Sequence, residues 1–188
     1  MTPVQIALEE IVNTLDALRI PYMVGGSVAS SVHGFFRSTN DIDLVAAMLP
    51  QHIVQFASRL AANFYLDPET IQEALAQKRP FNLIHLGSGY KFDIFPAVGQ
   101  IERSKSQEVP LGEGANVRCS LATAEDTLLA KLVWYRQGGE QSERQWNDVR
   151  GIRSVQGSRL DHAYMSKWAS HLKVDDLLDR LLSEEERG

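Results

Sequence analysis

Apolar positions along the chain change period several times, and each change marks an element. Val4, Leu8, Ile11, Val12, Leu15 and Leu18 recur at three- and four-residue steps, so residues 3–19 are predicted to form a helix burying one stripe. Pro21 follows its end, and "PYMVGG" reads as a short strand stopping at two glycines. "SVASSVHGFF" is predicted as a short helix opening at Ser27, and "DIDLVAAM" as the second strand. "PQHIVQFASRLAANF" reads as a helix with Pro50 near its first turn, where the missing N–H costs nothing, and "DPETIQEALAQ" as another. "FNLIHLGSGYKFDIFPA" holds two β-rich runs around "GSG", a hairpin signal, and "EVPLGEGANVRCS" a second such pair around "GEG". Beyond Cys119 the pattern turns helical in "SLATAEDTLLAKLVWYRQ", "SERQWNDVRGIRSV", "RLDHAYMSKWASHL" and "VDDLLDRLL". Thr123 with Asp126 three residues later resembles a capping box. The expected fold class is α/β (α+β): a small mixed sheet flanked by helices over residues 1–119, with a helical subdomain over 120–188 packed on it.

Composition narrows the function classes. The 188 residues suffice for one ordinary domain or a small core with an appended subdomain. A hydrophobic content of 44% and a charged content of 23% argue against long disorder. A net charge of −5 gives no global drive toward nucleic acid. It leaves room for a local basic lip. Between residues 131 and 159, Lys131, Arg136, Arg144, Arg150, Arg153 and Arg159 outnumber Glu140, Glu143 and Asp148. That stretch is either a lip for a triphosphate or RNA end, or an ordinary charged helix surface. The single cysteine, Cys119, excludes an intrachain disulfide and a Cys-rich zinc site, and reads as a buried small hydrophobe. The first residues form an amphipathic, acidic helix rather than a signal peptide, and no stretch approaches ~18 consecutive apolar residues. No membrane association is expected, and the expected compartment is the cytoplasm.

Three features carry candidate chemistry. Gly25, Gly26 and Ser27 lie at a strand-to-helix junction, where glycines let a backbone approach a ligand and helix N–H groups favour an anion. Alone, this is equally a tight turn with an N-cap. Asp41 and Asp43 are one residue apart on a strand, so both carboxylates take one face while Ile42 and Leu44 take the other. Two such carboxylates form a hard-oxygen site suited to Mg²⁺, or a pair of exposed strand-end aspartates. Asp93 sits between Phe92 and Ile94 inside an apolar run, although Asp is depleted in strands and rarely buried unpaired. If the two strands are neighbours, Asp93 completes a three-carboxylate cluster. Two metal ions roughly 3.5–4 Å apart would settle its charge and serve in-line phosphoryl or nucleotidyl displacement.

A strand ending in "GGS", a short helix, "RSTNDIDL" and a later strand with a lone Asp resemble the nucleotidyltransferase superfamily with the polymerase-β-like core. The resemblance is strongest to minimal bacterial nucleotidyltransferases of the AbiEii toxin type and covers about residues 20–155. It implies that Asp41, Asp43 and Asp93 hold Mg²⁺, that Gly26 and Ser27 hold a nucleoside triphosphate, and that Asp93 helps draw the proton from the attacking hydroxyl. It places "EDTLLAKL" and "WNDVRGI" on the helical part, with Lys131 facing the triphosphate and Asp148 near the cleft. The other reading of Lys131 is a solvated residue supporting an acid one turn away. Arg37 either contacts phosphate or pairs with one of the acids. The implied activity moves a nucleoside monophosphate from an NTP to an acceptor hydroxyl or phosphate on an RNA end, a protein or a small molecule, with tRNA and protein the first expectations, in a chain with a possible cognate antitoxin. The alternative is a catalytically silent nucleotide- or partner-binding module. "YRQGGEQSERQW" departs from the pattern as a longer link than such relatives carry, either a gate or a mobile loop.

The remaining tempting residues read as structural. His33 and His85 lack partners at metal-ligand spacing, and His52, His162 and His171 read as surface residues. Trp134, Trp146 and Trp168 fall on helices and are expected to fill the helical part rather than stack bases.

Overall fold

The computed structural model describes residues 2–36, 39, 41–96, 105–111 and 117–184. Arg37 and the "GEG" of the second hairpin signal lie outside the described residues. The chain divides into two compact units, one made of Met1–Gly25 and Thr39–Leu121, the other of Gly26–Ser38 and Ala122–Gly188.

The first unit is built on a mixed seven-stranded sheet. Its strands are β1 (Tyr22–Val24), β2 (Asp41–Ala46), β3 (Phe64–Tyr65), β4 (Phe81–His85), β5 (Lys91–Pro96), β6 (Ser106–Pro110) and β7 (Arg118–Ala122), in the order β3-β4-β5-β2-β1-β7-β6. β2 is thus the central strand, antiparallel to β1 and parallel to β5. Alternation along β2 buries Ile42, Leu44 and Ala46, while Asp41, Asp43 and Val45 stay half-exposed. The same alternation runs through β5, where Phe92 and Ile94 are buried, and through β4, where Phe81 and Leu83 are buried. Each of these large side chains contributes roughly 1.5–3 kcal/mol by leaving water, so a one-residue slip of β5 would expose two of them and is strongly disfavoured.

Three helices belong to this unit: α1 (Pro3–Ala17), α3 (Ile53–Leu60) and α4 (Pro68–Ala76). The predicted stripe of α1 is buried at Leu8, Ile11, Val12 and Leu15. Its start is a capping box, with the Thr2 hydroxyl accepting from the Gln5 N–H and the Gln5 side chain accepting from the Thr2 N–H, and with Pro3 in the first turn. α1 packs on α3, α3 on α4, and α4 reaches β4. The helix expected from Pro50 begins as a 3-10 turn, Pro50–His52, and ends at Leu60. Phe64, expected to close that helix, instead pairs with His85, and Tyr65 with Ile84, as strand β3. Ser120 to Ala122, expected to open a helix, complete β7.

The second unit holds α2 (Gly26–His33), α5 (Ala124–Gln137), α6 (Glu143–Gln156), α7 (His162–Leu172) and α8 (Asp175–Ser183). Its core is Leu128, Leu132, Tyr135, Trp146, Val149, Ile152, Met165 and Leu181, with their buried neighbours. Thr123, Ser142 and Asp161 cap α5, α6 and α7 by accepting the N–H of Asp126, Gln145 and Tyr164. The long link expected between the Lys131 and Asp148 helices is mostly helix. α5 runs to Gln137 and α6 starts at Glu143, leaving residues 138–142. Among the described residues no helix is long and apolar enough to cross a membrane.

Candidate functional site

The carboxylates expected to cluster lie on adjacent strands. β2 and β5 pair in parallel with Asp43 directly opposite Asp93, and Asp41 opposite Lys91. Paired residues share a sheet face, so Asp41, Asp43 and Asp93 all stand on the face away from the buried Ile42, Leu44, Phe92 and Ile94. Asn82 of β4, opposite Asp93, extends the same row. On the other flank Gly25 donates its N–H to the Asp43 carbonyl at 2.9 Å, which seats Gly25 beside the central strand. A Cβ on Gly25 would meet nothing within 4 Å, so the fold itself leaves that side open. Gly26 holds φ +54°, the left-handed region that glycine adopts without strain. Ser27 follows on α2 and is buried.

The carboxylates are not bare. Thr39 donates its hydroxyl to Asp41 Oδ1 at 2.8 Å and orients that carboxylate. Lys91, two residues before Asp93 and therefore on its face, places Nζ 2.8 Å from Asp93 Oδ2, with side-chain exposures of 43% and 18%. The hydrogen bond to Asp93 raises the Lys91 ammonium above the ordinary lysine range; desolvation opposes it, and the charges of Asp93, Asp41 and Asp43 reinforce it. The sequence reading missed Lys91, although the K-F-D alternation carried the signal. Among the described residues no group of three His, Cys, Asp or Glu side chains is arranged to hold a metal ion as it stands. The donor set still fits a hard divalent cation: three carboxylates on one sheet face, and a cation already drawn to one of them.

In the second unit, Lys131 and Asp148 form an ion pair, Nζ to Oδ2 at 2.8 Å, with side chains 2% and 8% exposed. The Ser30 hydroxyl lies 3.5 Å from the same oxygen, and Nζ sits 5.5 Å from the Trp134 ring centre. Lys131 is therefore not a solvated helix residue. His33 is buried with Nε2 2.7 Å from the Ala122 carbonyl. The neighbouring arginines are engaged locally. Arg136 pairs with Glu140 and Asp176, Arg150 pairs with Glu184, Arg153 donates to the Leu181 and Glu184 carbonyls, and Arg159 donates to the Val155 carbonyl. Such pairing describes a charged helix surface better than a basic lip. Trp146 is buried, and Trp168 packs half-buried against the same core.

No family model and no curated protein matches the chain. Solved structures do. The antibiotic-resistance factor ANT(2'')-Ia superposes with a TM-score of 0.56 at 14% identity, over 96% of this chain and 99% of that one. An antigenic nucleotidyltransferase-like protein from Paracoccidioides brasiliensis gives 0.55 at 16%, over 96% and 92%. The lincosamide antibiotic adenylyltransferase LnuA, bound to lincomycin, gives 0.51 at 15%, over 82% and 98%. The mixed sheet with its flanking helices is the fold of these nucleotidyltransferases.

Proposed function

We propose that the chain is an Mg²⁺-dependent nucleotidyltransferase, transferring a nucleoside monophosphate from an NTP to an acceptor hydroxyl. The observation that carries this is the register placing Asp43 opposite Asp93 with Asp41 on the same face of the central strand. Bound there, Mg²⁺ would neutralise the triphosphate and the charge that develops on the leaving pyrophosphate. Asp41 and Asp43 supply ligand oxygens from one strand and Asp93 from its neighbour. Asp93 would also take the acceptor's proton, the role the resemblance implies for it. Gly25, beside Asp43, and Gly26 and Ser27, next in the chain, offer backbone N–H groups and a hydroxyl to the phosphates. The chain's own contribution is positioning and charge neutralisation, not a covalent intermediate.

Two structural neighbours favour a small-molecule hydroxyl as the acceptor: LnuA, an antibiotic adenylyltransferase, and ANT(2'')-Ia, solved in complex with adenylyl-2''-tobramycin. The toxin-like resemblance instead implies tRNA or protein, with an antitoxin partner. Titration calorimetry with each of the four nucleoside triphosphates, with and without Mg²⁺, tests the core of the reading. Binding is expected to require Mg²⁺ and to vanish in Asp41→Ala/Asp43→Ala. Triphosphate binding that survives the double substitution would refute it. Binding that disappears there while no acceptor class is ever labelled from α-labelled NTP would favour the silent binding module.

A further inference from the structure

The carboxylate face carries its own cation, and nothing in the proposed chemistry has used it. Lys91 occupies the position opposite Asp41 and reaches along its own strand to Asp93. Three acids on one face would repel one another in the absence of a counter-charge. Among the described strand residues paired directly into that row, Lys91 carries the opposite charge. We propose that Lys91 is the resident counter-cation of this face: it holds Asp93 when no divalent ion is bound and must release it before Asp93 can ligate one. The inference rests on the metal reading above and deepens it.

Two observations support the idea of competition rather than simple support. The Lys91 ammonium takes an oxygen of Asp93 at 2.8 Å, a contact that a metal ligand would have to give up. Lys91 is also 43% exposed at its side chain, so it has room to swing out to water without opening the core. A lysine has a flexible stem of four carbons and a compact charge, which suits a group that must leave and return.

A merely supporting lysine predicts the opposite sign. If Lys91 positions Asp93 for the metal, its removal weakens metal binding. If it competes, its removal strengthens binding. The test is Mn²⁺ binding to the full chain, by calorimetry and by the loss of the free-Mn²⁺ paramagnetic signal, on wild type, Lys91→Met, Lys91→Gln and Lys91→Arg. Releasing a half-exposed ion pair is expected to tighten Mn²⁺ binding about three- to tenfold in both neutral variants. Lys91→Arg, which keeps the charge, should stay near wild type. The metal-free neutral variants should also melt lower than wild type, with a larger rise on adding Mn²⁺. Equal or weaker Mn²⁺ binding in Lys91→Met and Lys91→Gln would overturn the competition and leave the metal site standing. No Mn²⁺ binding by wild type or any variant would overturn the metal reading and this inference together.

Discussion

Lys131→Met is predicted to destabilise the second unit by about 3–5 kcal/mol, the range for removing one partner of a buried pair. At 2.8 Å the two charges attract by roughly 6 kcal/mol at an effective dielectric of about 20. Part of that attraction only offsets the cost of drying both groups. Removing the ammonium cancels the attraction, while Asp148, with an 8% exposed side chain, keeps most of its desolvation cost. The Ser30 hydroxyl at 3.5 Å is at the limit of hydrogen bonding and replaces little of it. Met retains the apolar stem, so packing is nearly conserved. All three tryptophans, Trp134, Trp146 and Trp168, fall in this unit, so urea unfolding followed by tryptophan fluorescence reads it selectively. Lys131→Met/Asp148→Leu, which removes both charges, should recover most of the loss or exceed wild type. A single variant within about 1 kcal/mol of wild type at unchanged m-value would refute the reasoning, because it would mean that the carboxylate is effectively solvated. The double variant also separates roles. If it folds and binds triphosphate normally, the pair is structural; if it folds and loses binding, the phosphate contact implied for Lys131 gains support.

Gly34→Ala should cost about 1–3 kcal/mol in the same fluorescence transition, because its Cβ would stand 2.8 Å from the Ile152 nitrogen and 2.9 Å from the Gly151 carbonyl carbon, both backbone atoms of α6. Gly25→Ala should leave the melting temperature unchanged, since its Cβ meets nothing; a drop in triphosphate affinity without loss of stability is the result expected if the glycine serves a ligand. Burial pushes the Cys119 thiol up to about 11, so at pH 8 it is almost wholly protonated and should react with a disulfide reagent far more slowly than in urea-unfolded chain. Labelling of the native protein at the rate of a free cysteine would contradict that burial.

The elements that were legible are those whose signal is local. The α1 stripe, the hairpin around "GSG" and the cap at Thr123 are all set within a few residues. The misreadings share a cause. Phe64 continues the apolar pattern of α3, and only pairing with β4, some twenty positions on, makes it a strand residue. Ser120 to Ala122 carry no helical period of their own; the cap at Thr123 already marked where the helix begins. Gly138 and Gly139 look like the middle of a long loop, yet the Ser142 cap restarts the helix at once.

The site divides along the same line, with a sharper lesson. Period-two alternation assigns a face, so the sequence alone places Asp41 with Asp43, and an Asp inside an apolar strand announces that Asp93 has a partner. It says nothing of which partner, because a side chain's reach is a tertiary property. The same rule puts Lys91 on Asp93's face, and its partner there is set by the reach of its side chain. Likewise Lys131 and Asp148 were each placed near a ligand, and only the helix pairing of α5 with α6 shows them spending their charges on one another. Charge balance within the chain is therefore the first account to close before an ion is invoked. Here it closes for Lys131 and Asp148. On the carboxylate face it closes in part, where Lys91 takes an oxygen of Asp93.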